Sequence, residues 1–226
     1  MNNRLLGYFY FFQFSPAYWA LSGKQRSEIQ DKLLAGLSDL KIQHDFYQVF
    51  PLQAEVDMLL WCTIRISEEF TPEQFFGSLA RLLNQNRHTI SPRLAWWGMT
   101  KPSDYARGKS SQEIDPFDGQ RSTYMVVYPF SKSAAWYKLS RDTRQGMMNE
   151  HIRIGHQYPQ IKQLLLYSTG LQDQEFIVTY ETNDLDQFSA LVTELRSSEA
   201  RRFTTTDTPI FTAIHRDSKT NLDLFG

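Results

Sequence analysis

The sequence predicts an α+β fold built from two copies of one structural unit. Aromatic and β-branched segments alternate with amphipathic segments along the 226 residues, which is the pattern of mixed strands and helices. Each half of the chain shows the order β-α-β-β-α-β, and short sequence similarities occur at matching places in the two halves. The predicted architecture is therefore two ferredoxin-like repeats.

In the N-terminal half, the predicted strands are rich in aromatic residues and the predicted helices are amphipathic. These elements are a strand at 4–14, a helix at 16–39, strands at 42–50 and 54–66, a helix at 71–87 and a strand at 93–100. Thr71 is the expected N-cap of the second helix, because Gln74 stands at the reciprocal position of a capping box.

The C-terminal half repeats this order, with Asn183 or Asp184 as the expected cap of its last helix. Its elements are a strand at 122–131, a helical stretch at 133–158, strands at 161–171 and 174–182, a helix at 184–197 and a strand at 207–215. The local similarities pair Phe14-Ser15 with Phe130-Ser131, and residues 72–75 with residues 185–188. Chance similarity between amphipathic helices is the alternative; the shared element order favours a true duplication.

The predicted domain boundaries follow from composition. Residues 1–100 form the N-terminal repeat and 122–216 the C-terminal repeat, joined by a loop at 101–121 that is rich in Pro, Gly, Ser and Asp. A connection of this length is typically a functional lid or a mobile linker. Residues 217–226 form a polar tail that is either disordered or docked on a neighbouring subunit.

Composition excludes several classes of function. The formal net charge is −1 with acids and bases interspersed, so nucleic acid is not an expected partner. The single cysteine, Cys62, excludes a disulfide framework within one chain and fits a reducing compartment. The apolar segment 5–14 is too short to cross a bilayer and lacks a signal-peptide cleavage site, so we expect a cytoplasmic protein. Peripheral contact with a membrane stays open.

His151 is the first candidate for chemistry. With Met147, Ile154 and Tyr158 it falls on one stripe of a helix, so its imidazole is expected to be partly buried. Burial favours the neutral form of the ring, which is the form that ligates metals. The alternative is a core histidine whose ring nitrogens meet backbone carbonyls.

Four further residues are expected near His151. Tyr128 ends a strand, Lys132 follows it, Trp136 opens the helical stretch, and Gln163 begins the next strand. Strand ends and helix faces commonly converge on one cavity. Taken singly, the four also read as a strand-end tyrosine, a surface lysine, a core tryptophan and a strand-edge glutamine.

Four motifs resemble the signatures of the chlorite dismutase family, which includes the coproheme decarboxylases of bacterial haem synthesis. They are Tyr-Pro-Phe-Ser-Lys at 128–132, Trp-Tyr-Lys-Leu at 136–139, Met-Met-Asn-Glu-His at 147–151 and Tyr-Ser-Thr-Gly-Leu-Gln-Asp-Gln-Glu-Phe at 167–176. The resemblance runs from about residue 122 to 215, and the motifs occur in the family's order. The N-terminal half matches only in its element pattern and aromatic content.

The resemblance implies a fold, a cofactor and a set of site residues. The implied fold is a dimeric α+β barrel of two ferredoxin-like repeats, assembled as a homopentamer, with haem b or coproheme as the cofactor. The implied roles are His151 as the proximal ligand of the iron, Gln163 as the distal residue, Tyr128 as the redox-active tyrosine, Lys132 near the reactive propionate and Trp136 in the pocket wall.

Two features depart from the family pattern. Gln163 follows His151 by twelve residues, one fewer than in many members, and a one-residue slip inverts side-chain direction on a strand. The segment 101–121 also lacks a clear equivalent of the propionate-binding arginine; Arg107 and Arg121 are the candidates.

The expected reaction is peroxide-dependent oxidative decarboxylation of the propionates of iron coproporphyrin to vinyl groups, through a radical on Tyr128. A neutral Gln163 lacks the charge that would hold an anionic oxychlorine intermediate, so little chlorite decomposition is expected. The alternatives are a haem-binding carrier or sensor, a weak peroxidase, or a non-haem protein of the same fold in which His151 only packs.

Overall fold

The computed structural model describes residues 4–68, 70–105, 108 and 110–226, and Arg107 lies outside them. The chain divides into two compact units. Unit 1 contains Met1–Thr100 and Ala213–Gly226, and unit 2 contains Lys101–Thr212.

Unit 1 is an antiparallel sheet with helices, and it has the predicted β-α-β-β-α-β order. Its elements are β1 (Leu5–Phe14), α1 (Pro16–Trp19), α2 (Gly23–Asp39), β2 (Gln43–Gln48), β3 (Met58–Arg65), α3 (Pro72–Gln85) and β4 (Ile90–Met99). The strands pair in the order β4-β1-β3-β2. Thr71 caps α3 and forms the expected capping box with Gln74.

Unit 2 repeats the arrangement. Its elements are β5 (Tyr124–Lys132), α4 (Ala134–Lys138), α5 (Arg141–Gly155), β6 (Lys162–Tyr167), β7 (Phe176–Thr182), α6 (Leu185–Arg196), a 3-10 helix (Glu199–Phe203) and β8 (Thr204–Thr206). The next strand, β9 (Phe211–His215), begins in unit 2 and ends in unit 1. The strands of unit 2 pair in the order β6-β7-β5-β8, all antiparallel. Asp184 is the residue that caps α6. The α+β class and the ferredoxin-like element order are confirmed.

The predicted helix at 16–39 is two helices. Ser15 caps the single turn of α1, and Ser22 begins α2 through a capping box with Gln25. The serine side chain satisfies the free backbone N–H groups of a helix start, which favours a new helix over continuation of the old one. The helical stretch at 133–158 divides in the same way, where Ser140 caps α5.

The C-terminal residues form a helix, α7 (Ser218–Asp223), within unit 1. The hydroxyl of Tyr18 donates to the carbonyl of Phe225 at 2.8 Å, and the amide of Gln30 donates to the carbonyl of Leu222 at 2.8 Å. The buried amide of Asn221 donates to the carbonyl of Phe46 at 2.7 Å. The segment expected to be a loose or subunit-docking tail is therefore part of the core of unit 1.

Within the described part of the chain, every helix is too short or too polar to cross a membrane.

Candidate functional site

The helix that carries His151 is fixed at both ends. At its start, the Ser140 hydroxyl accepts from the backbone N–H of Thr143 at 3.1 Å. Beyond its end, the side-chain amide of Gln112 donates to the carbonyls of Gly155, Tyr158 and Ile161 at 3.2, 2.9 and 3.0 Å. Two of these carbonyls also accept backbone N–H groups of the turn that follows, Gly155 from Tyr158 and Tyr158 from Ile161, so Gln112 adds side-chain bonds to the end of α5 and to that turn.

His151, Gln163 and Tyr180 line one cavity of about 120 Å³ in unit 2. The cavity lies where α5, α6 and the strands β6 and β7 meet. Its apolar wall comes from Ile152, Ile161, Leu191 and Leu195. His151 and Gln163, which are twelve positions apart in the sequence, therefore line the same cavity.

The His151 imidazole is neutral and free to bind a ligand. Burial, followed by the positive charge of Lys132, lowers its pKa to about 4, against a smaller opposing effect of Glu150. No group within the described residues hydrogen-bonds to the ring, so the alternative of a core histidine held by backbone carbonyls is not what the structure shows. A neutral imidazole with an available nitrogen can ligate a metal.

Gln163 faces the cavity despite its shortened distance from His151 along the chain. It lies directly opposite Tyr180 in the β6–β7 register, and paired residues share a face of the sheet. Its backbone N–H donates to the carbonyl of Gln112 at 2.7 Å, and its carbonyl accepts from Ile114 at 3.0 Å. Backbone hydrogen bonds therefore hold the connecting segment 110–114 against β6.

Tyr128 joins the site through Tyr180. The two rings stack with centroids 6.1 Å apart. Burial raises the pKa of Tyr128, so its phenol stays protonated at neutral pH. Arg196 and Arg201 are close enough to act on the same phenol.

Lys132 is a partly buried ammonium group in a basic environment. Its Nζ donates to the carbonyl of Ala200 at 2.9 Å and to Thr204 at 3.1 Å, and lies 4.8 Å from the ring centroid of Trp136. Burial, together with the charge of Arg201, lowers the pKa of Lys132 to about 8. Trp136 is buried behind this lysine and is not in the cavity wall.

Arg121 is committed elsewhere. Its Nη1 lies 2.8 Å from Glu181 in an ion pair whose side chains are 1% and 2% exposed, and its Nη2 lies 3.1 Å from Asp118. Glu181 follows Tyr180 in β7, so it points to the opposite face of the sheet from the cavity. Arg121 therefore does not bind a propionate carboxylate in this cavity.

Sequence reasoning missed Tyr180, Gln112 and Arg201. Tyr180 is in an ordinary strand sequence, and its importance comes only from its pairing with Gln163 and its contact with Tyr128. The Gln112 contacts span more than forty residues. The one available signal for Arg201 was its place in a basic segment before β8.

The described residues contain no cluster of three or more His, Cys, Asp or Glu side chains able to hold a metal ion. A single imidazole is enough for a metal whose other ligands come from a macrocycle.

Comparison with known proteins gives a consistent match. The family model for chlorite dismutase matches residues 9–216. The coproheme decarboxylase of Mycolicibacterium smegmatis is 25% identical over 214 residues, covering 93% of this chain and 90% of the relative. That of Staphylococcus carnosus is 31% identical over 188 residues, covering 75% of this chain and 71% of the relative.

Solved structures show the same fold. The chlorite dismutase of Candidatus Nitrospira defluvii, in complex with imidazole, superposes with a TM-score of 0.84 at 22% identity, covering 98% of this chain and 94% of that one. The chain therefore belongs to the chlorite dismutase family, whose members are haem-dependent enzymes.

Proposed function

We propose that this protein is a haem-dependent oxidoreductase that decarboxylates the propionates of iron coproporphyrin, with hydrogen peroxide as the oxidant. The observation that carries the proposal is the convergence of His151, Gln163 and Tyr180 on one cavity. Tyr128 stacks on Tyr180 behind the cavity wall, and Lys132 is close enough for its charge to act on His151. Two relatives named coproheme decarboxylases support this choice of reaction.

The residues present fit an iron porphyrin. His151 supplies a neutral nitrogen for the iron, and Ile152, Ile161 and Leu191 supply apolar surface for the ring. The cavity of about 120 Å³ is smaller than ligand pockets of ~300–1,000 Å³. Binding therefore requires α6 side chains or the segment 110–114 to move outwards.

The proposed reaction balances. One propionate, one peroxide and one proton give a vinyl group, carbon dioxide and two waters, so the substrate side chain is oxidised by two electrons. When bound, the iron porphyrin supplies the oxidising power drawn from peroxide. The protein positions the propionate and the side chains that react with it.

Tyr128 is the residue that takes hydrogen from the propionate. The Tyr128 phenol keeps its proton because burial raises its pKa, and its ring stacks on Tyr180 in the cavity wall. Loss of that proton and one electron makes Tyr128 an acceptor for a hydrogen atom from the propionate chain. Lys132, with Arg201 nearby, provides positive charge for the propionate carboxylate.

Gln163 supplies a neutral hydrogen-bond donor on the cavity side. It can orient a bound peroxide or water, but it adds no fixed charge for an anionic oxychlorine species. Slow chlorite decomposition is the corresponding expectation.

The direct test is anaerobic incubation of the purified protein with iron coproporphyrin and peroxide, with mass spectrometry of the extracted porphyrin. We expect successive loss of two carboxyl groups in the wild type and in the control Tyr124→Phe, and no product in Tyr128→Phe. Tight binding of the porphyrin without any product in the wild type would identify a carrier or sensor instead and would contradict the proposal.

We also propose a homopentamer located in the cytoplasm. The family relationship supports the assembly, and the buried free thiol of Cys62 is compatible with a reducing compartment. Sedimentation velocity of the porphyrin-bound protein measures the mass, and a monomeric or dimeric species contradicts the assembly.

A further inference from the structure

A second cavity lies in unit 1, and the proposed reaction does not use it. It has a volume of about 300 Å³ and lies between α3 and the strands β1 and β4. We call it the α3 groove; it is lined by Tyr8, Tyr10, Phe76, Leu79, Leu83 and Arg87, with Ala80 at its edge. Its size is at the lower end of the ~300–1,000 Å³ range of ligand pockets.

The wall of the α3 groove is mainly aromatic and aliphatic. Tyr8 stacks on Tyr10 with centroids 6.2 Å apart, and Phe76 meets Tyr8 edge-on at 5.8 Å. Phe76 in turn packs against Trp97 at 5.1 Å. These contacts hold the rings in place, so the wall is formed before any ligand arrives.

The Tyr10 hydroxyl is a polar group in the wall of the α3 groove. Tyr10 is 6% exposed, yet within the described residues its hydroxyl makes no hydrogen bond. The hydroxyl oxygen is not among the fully buried polar atoms that lack a partner, so it reaches solvent in the groove and can bond to a ligand oxygen there. Tyr10 therefore indicates where the polar end of a ligand lies.

Arg87 adds a positive charge at the same place. Its charge acts on the Tyr10 phenol, so the guanidinium is close to that hydroxyl. Within the described residues, its guanidinium makes one long hydrogen bond, 3.4 Å to the side chain of Asn84, and forms no ion pair with a carboxylate. No acidic side chain lines the groove. The polar end of the groove thus suits an anion.

We propose that the α3 groove binds an amphiphilic monocarboxylate, with its carboxylate on Arg87 and Tyr10 and its hydrocarbon part against Leu79, Leu83 and Phe76. Guanidinium and carboxylate form charge-assisted hydrogen bonds, and the apolar wall takes the hydrocarbon out of water. This site is independent of the proposed decarboxylation, since all its lining residues belong to unit 1.

Titration calorimetry with sodium decanoate tests the proposal, with decanol as the uncharged comparison. We expect saturable decanoate binding, weakened at least about tenfold in Arg87→Gln because a charge-assisted hydrogen bond is lost. The control Arg81→Gln, on the same helix but outside the lining, should bind like the wild type. Ala80→Trp places a large ring on an exposed helix position at the groove and should abolish binding of decanoate.

Three results would overturn the inference. One is the absence of binding heat in the folded wild type. Another is equal affinity for decanol and decanoate, with no effect of Arg87→Gln, which would leave only an unspecific apolar groove. The third is a lower assembly mass for Ala80→Trp together with no decanoate binding, which would make the groove an interface between copies of the chain.

Discussion

The charge of Lys132 gives the proposed reaction a specific pH dependence. With a pKa of about 8, this ammonium is roughly 90% charged at pH 7 and roughly 10% charged at pH 9. If it binds a propionate, the association constant for iron coproporphyrin is level below pH 8. Above pH 8 it falls by up to about tenfold per unit, until the higher pKa of the complex is reached.

Lys132→Arg separates this effect from other alkaline transitions. A guanidinium stays charged throughout this range, so the variant should lose the fall in affinity above pH 8, even if its affinity at pH 7 is lower. The exposed Lys138→Arg on α4 is the matched control and should keep the wild-type profile. The assay is a spectrophotometric titration with iron coproporphyrin from pH 6 to 10. Identical pH profiles for the wild type and Lys132→Arg would refute the role of Lys132.

The lowered pKa of Lys132 also affects the stability of the folded protein. The folded pKa of Lys132 lies below its value of 10.5 in a model peptide, so the unfolded chain binds more protons between pH 8 and 10.5. The contribution of this group to the free energy of unfolding therefore rises with pH across that window. Lys132→Met should remove that rise.

Three further predictions concern stability and catalysis. Glu181→Gln removes the carboxylate that lies 2.8 Å from the buried Arg121 guanidinium. This change should lower the free energy of unfolding by about 3 kcal/mol and the melting temperature by roughly 6–12 °C. In calorimetry, the double variant with Arg121→Met should recover most of this loss. Gln112→Ala should lower the free energy of unfolding by about 1–3 kcal/mol and weaken porphyrin binding. An unchanged melting curve would mean that the Gln112 side chain does not stabilise the end of α5. Tyr180→Phe should slow vinyl formation without changing porphyrin affinity, and a rate equal to the wild type would remove Tyr180 from the mechanism.

Much of the fold was predictable because local signals are strong in this chain. A continuous aromatic run at residues 8–12 defines β1, and the capping box at Thr71 fixes the start of α3. The break before α2 was also readable, since Ser22 and Gln25 form the same motif. It was missed because the apolar pattern continues across the break.

The candidate site was only partly predictable. His151 comes from a recognisable motif and Gln163 was assigned by its position twelve residues later; the structure brings both to one cavity. Arg121 was a candidate for the propionate-binding arginine, but its guanidinium donates to the carboxylate of Glu181, sixty residues away in the sequence. Such pairings depend on strand register and long-range packing, which a single sequence does not state.

Iron ligation by His151 is the central claim, and the spectrum of the haem-reconstituted protein tests it most directly. The wild type should show a shifted Soret band, His151→Ala should lose that spectrum, and added imidazole should restore it. His156→Ala, at a second histidine that lines the same cavity, should leave the spectrum unchanged. An unaltered spectrum in His151→Ala, or its loss in His156→Ala, would contradict the account.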